Sequence, residues 1–333
     1  MNNRERVRAA LRHEQPDRVP YAIGFTTPAW EKMVACYGPD FSAGIDNCFI
    51  GINAGAPQPW REVAPGIMED PFGVQWNKKV DTDIGVVCNV CITEETLEDY
   101  CFPALDDPTN FQEAEQYLQN NPDQYHIGDI GFSLFERAWT LAGMETVLMG
   151  MVADPAFIHR LLDRILEFNL AAIDRACAQD IDAMMFGDDW GQQTGVMMGV
   201  PHWREFIKPR IAEMYAAAKR RGKAVFIHSC GKVDALFPDL IALGLDVFNP
   251  FQPEVMDVYD MKARYGDRLS FFGGISTQRT LPYGTPEETR DEVRRLLDII
   301  GKDGGYIAAP AHSIPGDARP ENIAAMLEVL QTQ

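Results

Sequence analysis

A chain of 333 residues can bury one large core, so a small scaffold held together by disulfides is excluded. With 46% hydrophobic and 24% charged residues the composition is globular rather than disordered, and no apolar run approaches the ~20 residues of a membrane-spanning helix. The 30 Lys+Arg against 49 Asp+Glu leave a net charge of -19, which repels phosphate backbones and argues against nucleic acid as a partner.

The opening Met1-Asn2-Asn3-Arg4-Glu5-Arg6 runs directly into an amphipathic helix over 4–13 without an apolar signal core, so a cytoplasmic location is expected. A strand over 19–25 and a helix over 28–37 follow. The stretch from about 38 to 107 is rich in Gly, Pro, Asp and Asn, with a hairpin around 74–87. It reads as an elaboration on a larger fold rather than a separate domain. The seven cysteines are odd in number and irregularly spaced, which suits a reducing compartment. Cys88-Asn89-Val90-Cys91 has no second pair and sits in an apolar, strand-like stretch, so it is not taken as a metal or redox site.

From about 128 onward, apolar β-rich runs alternate with amphipathic helical patterns, the signature of successive β-α units. A strand near 127–132 is followed by runs at 183–186, 224–228, 246–249, 269–272 and 306–308. Their near-continuous apolarity is that of parallel strands covered by helices. Between the first two, Phe157, Leu161, Leu162, Ile165, Leu166 and Leu170 recur at helical spacing. Thr285-Pro286-Glu287-Glu288 supplies a capping box with proline in the first turn, and Gly301 closes that helix. Seven candidate strands, with one more hidden in the elaborated region, predict an α/β fold. The architecture expected is a (β/α)8 TIM barrel over 1–333 with an elaborated N-terminal region, its insertion at about 38–107. An open doubly wound sheet is disfavoured because the first turn carries no G-x-G-x-x-G pattern, and Gly231-Lys232 is no Walker motif.

In such a barrel the chemistry sits at the C-terminal ends of the strands. His228-Ser229-Cys230 is the sharpest candidate: in extended chain, His228 and Cys230 point the same way, and imidazole with thiolate is a donor pair that zinc prefers. A buried cysteine beside a hydrogen-bonded core histidine would read the same. Asp188 and Asp189 offer three roles: orienting His228 from the next strand, general acid/base work, or a further metal ligand. Adjacent residues on a strand face opposite sides, so at most one faces the site. Gln252 and Glu254 share one side and are candidates for substrate binding, or for bracing the backbone. His312 follows the last strand. His13, His126, His159 and His202 are read as structural or solvated.

Arg4-Glu5-Arg6-Val7 with Pro16-Asp17-Arg18-Val19-Pro20, Gly187-Asp188-Asp189, His228-Ser229-Cys230-Gly231, Asn249-Pro250-Phe251-Gln252-Pro253, Phe272-Gly273-Gly274-Ile275 and the region from His312 to Asn322 together resemble the uroporphyrinogen decarboxylase superfamily. The resemblance covers nearly the whole chain and implies the same (β/α)8 barrel. The superfamily holds both porphyrinogen decarboxylases and cobamide-dependent methyltransferases, so fold does not select between them. The decarboxylases carry an Arg-Gln-Ala-Gly-Arg block after the first strand; here Ile23-Gly24-Phe25-Thr26-Thr27-Pro28-Ala29-Trp30 holds no arginine. The methyltransferase branch carries His-x-Cys and a later cysteine as third zinc ligand. His228 and Cys230 match, but no cysteine follows Cys230, and His312 stands near the third position, with Glu254 or Asp189 as alternatives.

The resemblance therefore implies zinc held by His228, Cys230 and His312. It implies a methyltransferase moving methyl between a small donor or thiol acceptor and a corrinoid carried by a partner protein. Asp188, Asp189 and His312 would serve catalysis, Gln252 and Glu254 the substrate. Dimers are common among barrels of this family. Two alternatives stand beside it: a decarboxylase of tetrapyrrole metabolism, to which His312 also fits, and a non-catalytic tetrapyrrole or metal binder.

Overall fold

The computed structural model describes residues 1–56, 58–105 and 108–333. Seven strands, Phe49–Asn53, Tyr125–Ile130, Ala183–Gly187, Ala224–His228, Val247–Phe251, Ser270–Ile275 and Tyr306–Pro310, form one sheet in sequence order. Every neighbouring pair is parallel, which requires a crossover between strands. Helices supply it, among them Pro155–Cys177, Lys208–Arg220, Val258–Tyr265 and Pro286–Arg295. The strands Val247–Phe251 and Tyr306–Pro310 are buried at every residue, the pattern of sheet covered on both faces.

The sheet curls. The Phe49 ring, from the first strand, lies 6.0 Å from Phe226 on the fourth and 5.2 Å from Phe272 on the sixth. Inward side chains of distant strands thus meet in one apolar floor with Tyr125, Ala183, Val247 and Ile307. The C-terminal ends of the strands stand above that floor.

The strand expected over 19–25 is not a continuous strand. Isolated bridges join Tyr21 to Ala308 and Phe25 to Ile314, and Cys48 N–H donates to Tyr21 O at 2.9 Å. The segment lies between the last strand and the chain leading to the first, but two features interrupt its ladder. Pro20 has no N–H to give, and the Ile23 N–H donates to the Asn47 side-chain oxygen at 2.7 Å while Asn47 Nδ2 donates back to Ile23 O at 3.1 Å. The strand hidden in the elaborated region is Phe49–Asn53. The remainder of that region forms a four-stranded antiparallel sheet of Arg61–Ala64, Ile67–Glu69, Gln75–Asn77 and Val86–Val87, whose last pair is the expected hairpin.

Caps follow the sequence. Thr285 and Glu288 form a reciprocal capping box, and the helix from Pro286 passes through a π-turn at Leu296–Ile300 before Gly301 ends it. Cys88 and Cys91 each point to a backbone carbonyl, of Gln75 and Gly73, as structural thiols do. Among the described residues no helix is long and apolar enough to cross a membrane.

Candidate metal centre and its cavity

Three side chains from two strand ends converge. His228 ends one strand, Cys230 follows it, and His312 comes from the loop after Tyr306–Pro310; their ligand atoms all lie within 4.8 Å of one another. The two imidazole rings are 5.5 Å apart and cross at 69°. Cys230 is held there by crossed loops. Gly191 N–H donates to Cys230 O at 3.1 Å, and a Cβ on Gly231 (φ +86°) would lie 2.5 Å from the Gly191 carbonyl carbon. Only glycine fits that contact.

The tautomer of His228 follows from its neighbours. Asn249 Nδ2 donates to Phe272 O at 3.0 Å, which turns Asn249 Oδ1 toward His228 Nδ1 at 2.6 Å. An amide oxygen only accepts, so Nδ1 carries the proton and Nε2 presents its lone pair, 3.5 Å from Cys230 Sγ. This is the outer support that a metal-binding histidine uses.

The two adjacent aspartates divide as strand alternation requires. Asp189 faces the centre: its Oδ1 accepts the Cys230 N–H at 2.7 Å and lies 3.8 Å from His228 Nε2. Asp188 turns into the protein, where it accepts from Leu134 N–H at 3.2 Å, Glu136 N–H at 2.8 Å and Trp190 Nε1 at 2.5 Å. Burial pushes Asp188 up to about 6, while those donors favour its charged form. Asp188 therefore braces the start of the helix Phe135–Ala142 and makes none of these contacts with the histidine-cysteine cluster.

Gln252 and Glu254 are also engaged in bracing. Gln252 Oε1 accepts the Gly231 N–H at 2.7 Å. Glu254 Oε1 accepts Ser276 Oγ at 2.5 Å and Gln278 N–H at 3.3 Å.

The residues fit zinc. One thiol and two imidazoles are zinc donors, and three ligands leave a position open. The thiol of Cys230 is pushed up by burial and by the carboxylates Asp189 and Glu136, so it needs a cation in order to ionise there. Glu136 itself is raised far above the ordinary carboxyl range by burial and by Asp189 and Asp188. Desolvation, and His228 whenever it is protonated, hold His312 below its ordinary value and so favour the neutral imidazole, the form that binds metal.

A cavity of about 640 Å³ occupies the neighbouring part of the curled sheet, lined by Phe49, Phe132, Phe272, Trp60, Asp129 and Arg137 among others. Asp129 is level in register with Met185 and Phe226, one inward position below His228. Sequence reasoning passed over both Glu136 and Asp129. The signal for Asp129 was present: on the strand Tyr125–Ile130, the inward positions Tyr125, Ile127 and Asp129 place one acid on an otherwise apolar face.

Burial pushes Asp129 up to about 6, His228 opposing. A folded-state value above the ordinary 3.8 means that the carboxyl stabilises the fold when protonated, fully below about pH 4, and that this is lost as pH rises through about 6. Asp129→Asn is therefore expected to stabilise the chain by about 1–3 kcal/mol near pH 8, and by roughly half as much near pH 5. Urea unfolding of both chains at the two pH values reads the difference. An equal gain at both would show that Asp129 does not titrate with folding.

The uroporphyrinogen decarboxylase (URO-D) family profile matches residues 132–333, more than half of the chain. The uroporphyrinogen decarboxylase of Methylococcus capsulatus is 28% identical over 217 residues, 60% of this chain and 58% of the relative. That of Serratia proteamaculans is 26% identical over 191 residues, 55% of this chain and 50% of the relative. The chain thus matches between half and three fifths of the length of these relatives. Among solved structures, a methyltransferase from Methanosarcina mazei superposes with a TM-score of 0.74 at 17% identity, over 99% of this chain and 98% of that one. At that identity the likeness is one of fold. On the family profile, with the strand-end motifs in their order along the curled sheet, this chain belongs to the uroporphyrinogen decarboxylase family.

Proposed function

We propose that the chain is a zinc-dependent methyltransferase, moving a methyl group between a small methylated compound or thiol and a corrinoid carried by a separate protein. The observation that carries this reading is the convergence of His228, Cys230 and His312 within 4.8 Å, with the His228 tautomer set by Asn249. When bound, zinc supplies a Lewis acid with an open position for a thiol or for the heteroatom of a donor. Asn249 keeps the His228 lone pair available, and Asp189 holds the Cys230 backbone in place and stands beside the ligand atoms as the base for a released proton. Asp188 braces the start of the helix Phe135–Ala142, and Gln252 holds the loop at Gly231.

The names of the curated relatives favour a second reading, decarboxylation. Against it, a substrate with many carboxylates needs a basic clamp. The segment from Ile23 to Trp30 has no arginine, and Arg137 in the cavity wall is already paired with Asp70 at 3.2 Å.

The test is metal analysis and methyl transfer to free cobalamin, on untagged protein before and after chelation. About one zinc per chain, with transfer lost on chelation and restored by zinc, is expected. Transfer by the zinc-free protein contradicts the proposal, and release of carbon dioxide without any corrinoid replaces it with the decarboxylase reading.

A further inference from the structure

The cavity beside the metal centre carries an unbalanced charge. Arg137 and Asp70, both in its wall, cancel one another through their contact at 3.2 Å, and the Arg137 guanidinium is stacked 3.7 Å from the Phe72 ring. Asp129 has no such partner: among the described residues no donor reaches its carboxylate. A half-buried carboxylate that faces an apolar cavity without a protein hydrogen bond is a favourable place for an opposite charge. The walls around it are aromatic, with Phe49 and Phe272 5.2 Å apart, Phe132, and Trp60 at a partly exposed edge. Ring faces attract cations and cannot hydrate anions.

From this juxtaposition we infer that the cavity binds a small organic monocation of the alkylammonium class, its charge set against Asp129 and its alkyl groups against the rings. The volume of about 640 Å³ is that of a small-molecule site. An anionic ligand would meet Asp129 with no unpaired cation among the described lining residues to answer it. The net charge of -19 further raises the local concentration of cations. The inference rests on the methyl-transfer reading only in making the bound cation a candidate methyl donor; occupancy of the cavity stands apart from it.

The experiment is calorimetric binding to the purified full chain, with neither corrinoid nor substrate turnover, so that its failure is distinct from failure of methyl transfer. Choline is compared with 3,3-dimethylbutan-1-ol, its uncharged counterpart of the same shape, and with benzoate. Choline is expected to bind at least roughly tenfold more tightly than the alcohol, and benzoate more weakly than either. In Asp129→Asn the preference for choline over the alcohol should vanish, while the alcohol still binds. That retained binding shows that the cavity is intact. Equal binding of choline and the alcohol, tighter binding of benzoate, absence of choline binding at millimolar concentration, or a preference that survives in Asp129→Asn would each overturn the inference.

Discussion

On the zinc-dependent reading proposed above, Cys230→Ser should abolish zinc binding and lower methyl transfer by about a hundredfold or more, while the folded structure persists. The reason is the donor set. A serine hydroxyl at this position, in the field of Asp189 and Glu136, has no means of ionising as a thiol does under a cation, and loss of one of the three proposed ligands leaves two imidazoles. Even outer-shell changes at metal sites cost 10–100-fold in affinity or activity, so removal of a ligand should cost at least the upper end of that range. The fold should survive because the crossing of the two loops depends on Gly191, Gly231 and backbone hydrogen bonds rather than on the thiol. His312→Ala should act in the same direction. If it leaves zinc content unchanged, the third ligand is another group, and Asp189, 3.8 Å from His228 Nε2, is the next to replace.

Asp70→Asn should destabilise the chain by about 3–5 kcal/mol, or roughly 4–7 °C in Tm. Asp70 belongs to the antiparallel insertion and is only 6% exposed, yet it accepts from Phe72 N–H, Val74 N–H and Trp76 Nε1 and pairs with Arg137 on the helix Phe135–Ala142. It therefore ties the insertion to the curled sheet. The isosteric amide keeps the shape but turns an NH2 group toward N–H donors and leaves the buried Arg137 charge without its counter-ion. Arg137→Met made in the Asp70→Asn background should recover part of the loss, because the unpaired charge is then gone. A loss below about 1 kcal/mol in Asp70→Asn would show that the pair is screened by solvent and does not hold the insertion. Because both residues line the cavity, the same variant should also weaken choline binding, through movement of the wall.

Elements read from the chain were those whose cause is local. Capping at Thr285, the helix of Pro155–Cys177 and the strand Ala224–His228 depend on neighbours a few residues away, so periodicity and cap residues sufficed. The strand Phe49–Asn53 was harder, because its Gly51 and Asn53 face a cavity rather than a packed core and its apolar pattern is broken. The segment 19–25 reads as a strand by composition, but Pro20 within it has no N–H to give and the Asn47 side chain takes up the Ile23 backbone groups, so its ladder is interrupted.

At the centre, the sequence by itself determined that His228 and Cys230 share one side of a strand end and that only one of Asp188 and Asp189 can join them, since both follow from the two-residue repeat of extended chain. Only the tertiary structure decided that Asp189 is the one, that His312 closes the group, that Gln252 and Glu254 brace loops, and that among the described residues no hydrogen-bond donor reaches Asp129 in its aromatic cavity. Those outcomes depend on which strands become neighbours when the sheet curls, and on how much water the curl removes. Both are set by packing between segments far apart in the chain, which no local pattern of residues records.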